Sequence, residues 1–446
     1  MIKTNIKFIN HASVLISHGD IKILSDPWYT GPVFHNGWRL LHEIEEKKIL
    51  NILKEVTHIF ISHEHPDHFN TSFFLNQDIK DILIKKNIEI LFQYTKDKRV
   101  FNFLNKNGFN IREYKSNEKI DLGKALQAKI IKHDFYDSSL ILETPDLKIL
   151  NLNDCPMREV QQIKKFKKKH GPFDVLLTQF SYAAWKGGKN NKVYREKAAE
   201  EKLETIEKQA TILNCKSIIP FASFVYFSNE LNFYMNDSIN TPETITKRFL
   251  NKKFNVVFLS PDEIQEIDNL KQKQSSIDFW VEKYNSINSL PKDKFEKSIN
   301  FEDLVTGHNK YISKIEKKNS KFLIRFLKKI KLMNLFQSIN IKLYDHNKTY
   351  SYSIFSGLKE SSNGEHDVSM HSQSLAFIFK NEFGFDTLTV NGCFECSQDG
   401  FSKLAKTFAL GSLNALGLSL NLSLLTKPQI VFLFLFKLKK VLSKLI

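Results

Sequence analysis

The chain has 446 residues, of which 42% are hydrophobic and 26% charged, and this balance excludes an intrinsically disordered protein. Four cysteines in so long a chain exclude a disulfide-stabilised secreted scaffold, so we expect a cytoplasmic protein. The formal net charge of +16 favours a phosphorylated small molecule or an anionic membrane as partner, or it reflects only a lysine-rich surface. No basic segment of the sequence is typical of nucleic-acid binding.

Short strands and one long loop make up the first part of the chain. Three short apolar segments are typical of strands, at residues 5–10, 13–17 and 22–24. A loop rich in glycine, proline and aromatic residues follows at 26–38. Residues 42–54 then have the apolar spacing of a helix, and 56–62 (VTHIFIS) have the continuous apolar pattern of a buried strand.

Strands and helices alternate further along the chain. Helices are predicted at 158–169 and 192–214, and they separate some of the predicted strands at 87–92, 129–132, 139–143, 148–152, 174–178, 217–219 and 255–259. Such alternation predicts layers of sheet and helix, and we assign residues 1–265 to one catalytic domain.

The rest of the chain differs in composition. Residues 266–345 are charged and predicted to be a helical connecting region, in which 321–336 form a basic amphipathic helix expected to pack against a core. Residues 346–446 are predicted to be a small α/β domain, with Cys393 and Cys396 in structural roles. Its tail, 430–446, begins with seven apolar residues and ends basic, which makes it a candidate for peripheral membrane contact.

Four residues of metal-ligand type follow the buried strand at 56–62. They are His63, His65, Asp67 and His68, in the sequence His-Glu-His-Pro-Asp-His. Residues i and i+2 at a strand end project to one side, which directs His63 and His65 to one ion. A turn at Pro66 then directs Asp67 and His68 to a second ion. Imidazole and carboxylate together suit zinc, iron or manganese.

Two ions need further ligands, and two more strand ends supply candidates. His133 follows the strand at 129–132, and Asp154 follows the strand at 148–152. A carboxylate at such a position can bridge two cations, so Asp154 is the predicted bridge. His11, in Asn10-His11-Ala12-Ser13, is a further candidate, either as a ligand or as the partner of one.

These residues resemble the metallo-β-lactamase superfamily. The matching pieces are HEHPDH at 63–68, His133 in KHDFYDSS and Asp154 in LNLNDC, and the resemblance covers residues 1–265. It implies an α+β fold, a four-layer αββα sandwich with metals at one sheet edge, but it does not specify a reaction.

A narrower resemblance involves other segments. DPWYTGPVFHNGW (26–38), IPFASFVYF (219–227) and NFYMND (232–237) resemble the catalytic domain of CMP-N-acetylneuraminate hydroxylases. This implies an oxygenase that converts an N-acetyl group on a nucleotide sugar into an N-glycolyl group. Asp26 and Trp28 would line the mouth of its site. The implied metal ligands are His63, His65, Asp67, His68, His133 and Asp154.

The chain departs from these families at two points. The superfamily often has a final histidine ligand, whereas residues 221–240 contain none. Asn236 or Asp237 substitutes for it, or one ion keeps an open position. The cysteine–histidine pairs of a Rieske iron–sulfur module are also absent from the sequence, so an oxygenase would require a separate electron-transfer protein.

Three hypotheses about function follow. The preferred one is a binuclear, iron-dependent oxygenase acting on an anionic sugar-containing substrate, with Lys186 and Lys189 of the loop 185–192 closing over a phosphate unless that loop is only mobile surface. The second is a zinc-dependent hydrolase of phosphodiesterase or lactonase type, in which Asp67 is both ligand and proton acceptor. The third is a membrane-surface or partner-binding protein with a vestigial metal site.

Overall fold

The computed structural model describes residues 2–133, 136–329, 336, 338–361 and 364–421. The chain divides into two compact units. The first unit comprises Met1–Lys186 and Asn191–Asp293, and the second comprises Gly187–Asn190 and Lys294–Ile446.

The first unit contains sixteen strands in its described residues. In chain order they are β1 (Thr4–Asn10), β2 (Ser13–His18), β3 (Ile21–Ser25), β4 (Trp38–Leu40), β5 (His58–Phe60), β6 (Glu89–Gln93), β7 (Ile111–Tyr114), β8 (Ile120–Gly123), β9 (Leu126–Lys132), β10 (Ser138–Glu143), β11 (Lys148–Asn153), β12 (Val175–Gln179), β13 (Ser217–Phe221), β14 (Val225–Phe227), β15 (Asn255–Val256) and β16 (Ile264–Glu266).

These strands form two seven-stranded sheets and a small ribbon. One sheet has the order β16-β1-β2-β3-β5-β6-β7, the other has the order β15-β13-β12-β11-β10-β9-β8, and β14 pairs with β4. In each large sheet one half is antiparallel and the other parallel, with the change at β3 in the first sheet and at β11 in the second.

Eight α-helices accompany the sheets in the described part of the first unit. They are α1 (Glu46–Leu53), α2 (Thr71–Leu75), α3 (Gln77–Lys85), α4 (Arg99–Lys106), α5 (Val160–His170), α6 (Lys192–Leu213), α7 (Pro242–Arg248) and α8 (Gln274–Asn285). Short 3₁₀ helices lie at Phe233–Ser238, Ile267–Asn269 and Ile287–Ser289.

The layers follow from the alternation of side chains along each strand. Phe60 of β5 joins the core that holds residues of both sheets, whereas its neighbours Ile59 and Ile61 join the core formed with α1 to α4. Successive strand residues point to opposite faces, so each strand of the first sheet contributes to both cores. Helices α5 and α6 bury Ile163 and Leu203 on the second sheet. The predicted four-layer α+β fold is confirmed.

The first unit extends past residue 265, the predicted end of the catalytic domain. The reason is Trp280 of α8, which is completely buried and packs against Phe8, Phe224 and Phe258. Its indole N–H donates to the carbonyl of Leu259 at 2.8 Å. Residues 266–293 therefore complete the core between the sheets and are not a connecting region.

The second unit combines one sheet with helices. Its strands, in chain order, are β17 (Ile339–Leu343), β18 (Lys348–Ser353), β19 (Gly357–Glu360), β20 (Val368–Met370) and β21 (Phe394–Cys396). They lie in the order β19-β18-β17-β20-β21. The helices are α9 (Phe301–Lys318), α10 (Lys321–Lys329), α11 (Ser372–Lys380), α12 (Gly384–Asn391) and α13 (Gln398–Ala415).

Aromatic rings form the core of the second unit. Tyr352 stacks on Phe408 with ring centroids 5.4 Å apart, and Phe379 lies against both. Cys393 is buried and Cys396 is half-buried. None of the helices in the described residues is long and apolar enough to cross a bilayer. The predicted tail at 430–446 and the end of the predicted helix at 330–335 lie outside the described residues.

Candidate metal centre

The histidine-rich segment leaves the first sheet at the end of β5 and is held there by neighbouring strands. The carbonyl of Ser62 accepts hydrogen bonds from the Ser138 hydroxyl at 2.6 Å and from the Gln93 amide at 3.2 Å. Both side chains are buried, so these bonds satisfy a carbonyl that water does not reach. Beyond it, the N–H of His68 donates to the carbonyl of His65 at 3.0 Å, which closes the turn predicted at Pro66.

Two groups of potential metal ligands meet at this turn. One contains His63, His68 and Asp154, the other contains His11, Asp67 and His68, and within each group the ligand atoms lie within 4.8 Å of one another. Asp154 Oδ2 lies 3.8 Å from both His63 Nε2 and His68 Nε2. The predicted ligands His63, Asp67, His68 and Asp154 are thus brought together from separate parts of the chain.

Asp26 orients His68. Its Oδ2 lies 3.0 Å from His68 Nδ1, and its two oxygens accept from the N–H and the hydroxyl of Ser62 at 2.7 and 2.8 Å. A carboxylate on one ring nitrogen fixes the tautomer and directs the other nitrogen to a metal. We predicted that Asp26 and Trp28 contact substrate, but both side chains are 1% exposed. Burial makes them supports of the site rather than its mouth.

Charges within the site are strongly coupled. Burial lowers the pKa of the His63 imidazole to about 3, so this ring is neutral and can act as a ligand. Burial also opposes charge on His68, but the carboxylates of Asp67, Asp154 and Asp26 outweigh it and raise the His68 pKa well above its usual value. Burial raises the pKa of Asp67, yet His68 and His11 hold it well below the ordinary range. The centre therefore attracts positive charge.

The hydrogen bonding of the site leaves room for metal ions. Four buried atoms of the two ligand groups have no hydrogen-bond partner within the described residues: His11 Nδ1, Asp67 Oδ1, His68 Nε2 and Asp154 Oδ1. A buried polar atom without a partner costs about 1–3 kcal/mol. Because these atoms are imidazole nitrogens and carboxylate oxygens, the residues present fit divalent metal ions.

The other predicted ligands have different surroundings. His65 Nδ1 lies 2.8 Å from His63 Nε2, so these two imidazoles converge as the i, i+2 spacing predicted. His133 Nε2 lies 2.9 Å from the Ser139 hydroxyl, and the His133 ring stacks on Phe166. His133 belongs to neither ligand group found among the described residues, and its role as a ligand stays a prediction.

The predicted substitutes for the final histidine have other partners. Arg195 donates to both carboxylate oxygens of Asp237, at 2.8 and 2.6 Å, and the Arg195 side chain is completely buried. The Asn236 side chain bonds the backbone N–H and carbonyl of Phe227 at 2.9 and 2.8 Å. Asn236 and Asp237 thus stabilise the segment that follows β14. Because their side chains already bond protein groups, neither is available as a metal ligand.

Basic residues gather beside Asp154. Lys202 of α6 donates to Gln179 at 2.7 Å. Burial, with the nearby charges of Arg158 and Lys186, lowers the Lys202 pKa to about 8 against the opposing effect of Asp154. The predicted residue Lys186 thus interacts electrostatically with Lys202 and Arg158. Sequence reasoning missed Lys202 and Arg158, because lysines abound in α6 and no spacing distinguishes this one.

Lys189 has different surroundings from Lys186. It belongs to the second unit, where its backbone N–H donates to the carboxylate of Glu395 at 3.0 and 3.2 Å. The loop 185–192 is thus divided between the units, and the two lysines predicted to close on one phosphate belong to different bodies.

The part of the chain that carries both ligand groups is similar to a known family. Residues 5–207 match the family model described as a beta-lactamase superfamily domain. The predicted resemblance of this part of the chain to that superfamily is confirmed, and its ligand groups lie in the loops after β1, β5 and β11.

Similarity to particular proteins extends further along the chain. The chain is 26% identical over 330 residues to the cytidine monophosphate-N-acetylneuraminic acid hydroxylase of Asterias rubens, covering 70% of this chain and 48% of that protein. It is 28% identical over 269 residues to the enzyme of the same name from Danio rerio, covering 55% and 43%. The chain thus spans about half the length of the curated relatives it matches. The predicted resemblance to this hydroxylase group is confirmed.

Solved structures also align with the chain. CmlA, a diiron β-hydroxylase from Streptomyces venezuelae, aligns with a TM-score of 0.42 and 12% identity, over 60% of this chain and 54% of that one.

Proposed function

We propose that the first unit is a binuclear metal-dependent oxygenase that hydroxylates an anionic, sugar-containing substrate, namely the N-acetyl group of a nucleotide sugar. The observation that carries the proposal is the similarity to hydroxylases over 330 residues, which is longer than the superfamily domain at 5–207. The domain alone does not specify a reaction. The longer similarity favours oxygenation.

The metal ions would be held by side chains from several loops. His63, His65 and His133 are the proposed ligands of one ion, Asp67 and His68 those of the other, and Asp154 is the proposed bridge. Iron is the favoured metal, and when bound it supplies the oxygen activation that hydroxylation of an unactivated C–H bond requires. His63, Asp67 and His68 are buried, which limits the access of bulk water to this part of the site.

The protein's own part is to hold its ligands and to attract the substrate. Asp26 keeps His68 in one orientation, through the 3.0 Å contact with Nδ1. Lys202, Lys186 and Arg158 would attract the phosphate or carboxylate of the substrate toward Asp154. Electrons would come from a separate electron-transfer protein, because the sequence contains no Rieske ligand pairs.

Oxygen uptake tests the proposal. Protein loaded anaerobically with ferrous iron is mixed with a chemical reductant and CMP-N-acetylneuraminate, and then exposed to labelled O₂. One oxygen atom should enter the N-acetyl methyl group, and the other should leave as water with two electrons and two protons. His63→Ala is the control, because it removes a buried ligand. Uptake that is independent of the substrate, with no labelled product, contradicts the proposal.

A hydrolase is the second candidate function, and the donor set of the site favours it as much as the first. Imidazole and carboxylate bind zinc as readily as iron, and two zinc ions would activate a water for phosphodiester or lactone cleavage. Cleavage by the zinc-loaded protein in the absence of oxygen would support this function. Such cleavage, without any substrate-dependent oxygen uptake by the iron form, would replace the oxygenase proposal.

A further inference from the structure

We propose that His11 is a ligand of the second metal ion and takes the place of the final histidine that residues 221–240 lack. The inference rests on the proposed metal centre and adds a ligand to it. It also removes the need for Asn236 or Asp237 at this position, since both already have protein partners.

The position of His11 matches that of a ligand. His11 Nε2 lies 3.3 Å from Asp67 Oδ2, and the His11 ring centroid lies 5.9 Å from that of His68. The ligand atoms of these three residues lie within 4.8 Å of one another. His11 is 1% exposed, and its Nδ1 has no hydrogen-bond partner in the described part of the chain.

The backbone at His11 is held in an unusual conformation. His11 lies in the tight turn between β1 and β2, where Asn10 pairs with Ser13, and its φ is +35°. Such turns favour glycine, asparagine or aspartate, and a left-handed residue with a Cβ costs roughly 1–2 kcal/mol. A buried histidine at this position therefore has a cost in backbone energy, and such outliers gather at functional sites.

Hydrogen bonds from two other segments fix this turn. The Asn10 side chain accepts from the His11 N–H at 3.0 Å and donates to the carbonyl of His42 at 2.8 Å. The carbonyl of His11 accepts from the N–H of Ala222 at 2.8 Å, at the end of β13. The ring is thus directed at Asp67 from a backbone with little freedom to move, as a preorganised ligand requires.

A positioning role is the alternative to ligation. In that case His11 donates a hydrogen bond to Asp67 and never contacts the metal. The two roles differ in which replacements preserve the site. Glutamine at position 11 can still donate a hydrogen bond to Asp67, but it is a poor metal ligand. Cysteine is a weak hydrogen-bond donor, but its thiolate binds cobalt or zinc strongly.

Cobalt spectroscopy of two variants separates the roles. The wild type, His11→Cys and His11→Gln are loaded with Co²⁺, and metal content and absorption spectra are recorded. We expect a new thiolate-to-cobalt charge-transfer band in His11→Cys only, and the loss of one of two ions from His11→Gln. His18→Cys is the matched control, because His18 is buried in the same sheet but bonds Thr4 and the Lys124 carbonyl.

Two results would overturn the inference. One is a His11→Cys spectrum identical to that of the wild type. The other is full, wild-type metal binding by His11→Gln, which a hydrogen-bond role predicts. Circular dichroism of the metal-free variants shows whether each is folded, and if His11→Cys misfolds, the His11→Gln metal content decides. A wild type that binds no cobalt would refute the metal centre itself, whereas two ions bound by both the wild type and His11→Gln would refute only the ligand role of His11.

Discussion

Replacement of Asp26 by asparagine tests how the protein prepares His68 for a metal. The carboxylate faces three groups: His68 Nδ1 at 3.0 Å, the Ser62 N–H at 2.7 Å and the Ser62 hydroxyl at 2.8 Å. An asparagine has one oxygen and one N–H₂ group. If the asparagine oxygen accepts from the Ser62 N–H, the asparagine N–H₂ group faces His68 Nδ1. When His68 Nε2 binds a metal, Nδ1 carries a hydrogen and must donate, so two donors then face each other.

The expected cost follows from these contacts. Loss of one hydrogen bond to a charged group is worth about 1.5–3 kcal/mol. At about 1.4 kcal/mol per factor of ten, this weakens metal affinity roughly 10- to 100-fold. The same range is found when residues that orient metal-bound histidines are changed.

Competition with a chromophoric chelator measures this affinity for Co²⁺ or Zn²⁺. Asp293→Asn is the matched control, since Asp293 also accepts three hydrogen bonds in the first unit, two from Arg39 and one from Ser228. We expect Asp26→Asn to lose affinity and Asp293→Asn to retain it. Unchanged affinity in Asp26→Asn, or an equal loss in both variants, would refute the role of Asp26 in orienting His68.

Three further outcomes are expected. Asp237→Ala should lower the free energy of unfolding in urea by about 3 kcal/mol, because the substitution leaves Arg195 charged, buried and without its carboxylate partner. The metal content of this variant should equal that of the wild type. Loss of an ion would instead show that Asp237 is a ligand. In the wild type, kcat/KM for the anionic substrate should fall as the pH rises through about 8, where Lys202 loses its proton and its charge, and Lys202→Met should show a high KM without this fall. A fall that persists in the variant would have another origin. Trp280→Ala should destabilise the first unit by about 3–5 kcal/mol, whereas a loss under 1 kcal/mol would return residues 266–293 to a connecting role.

Local pattern was enough to predict much of the fold. The strand β10 (Ser138–Glu143) is buried along nearly its whole length, and a continuous apolar run is what such a strand requires. The short helices α2 to α4 were not predicted. Helix α3 has nine residues and buries Ile79 and Leu83, with Ile82 packed beside them, and so short an apolar pattern does not distinguish a helix from a strand. Its capping residue Asn76 was the clearer indication, since its side chain accepts from the N–H of Ile79.

The site residues that were predicted correctly depend on local sequence spacing, whereas the others depend on contacts between distant parts of the chain. The cluster from His63 to His68 follows one strand, so spacing alone predicted its convergence. The roles of Asp26, Asp237 and Lys202 depend on residues far away in the sequence, and no spacing along the chain reveals such partners. A carboxylate in a loop can be a ligand, a support or half of an ion pair, and only its neighbours decide which.

Metal stoichiometry tests the central claim most directly. The full chain and a His65→Ala variant are loaded anaerobically with Fe²⁺ and freed of excess metal in parallel. The number of iron ions per chain is then measured by elemental mass spectrometry. The proposed centre predicts two iron ions per chain in the wild type and fewer in the variant. One or no bound ion in the wild type, or equal content in both proteins, would contradict a binuclear centre built on His63 to His68.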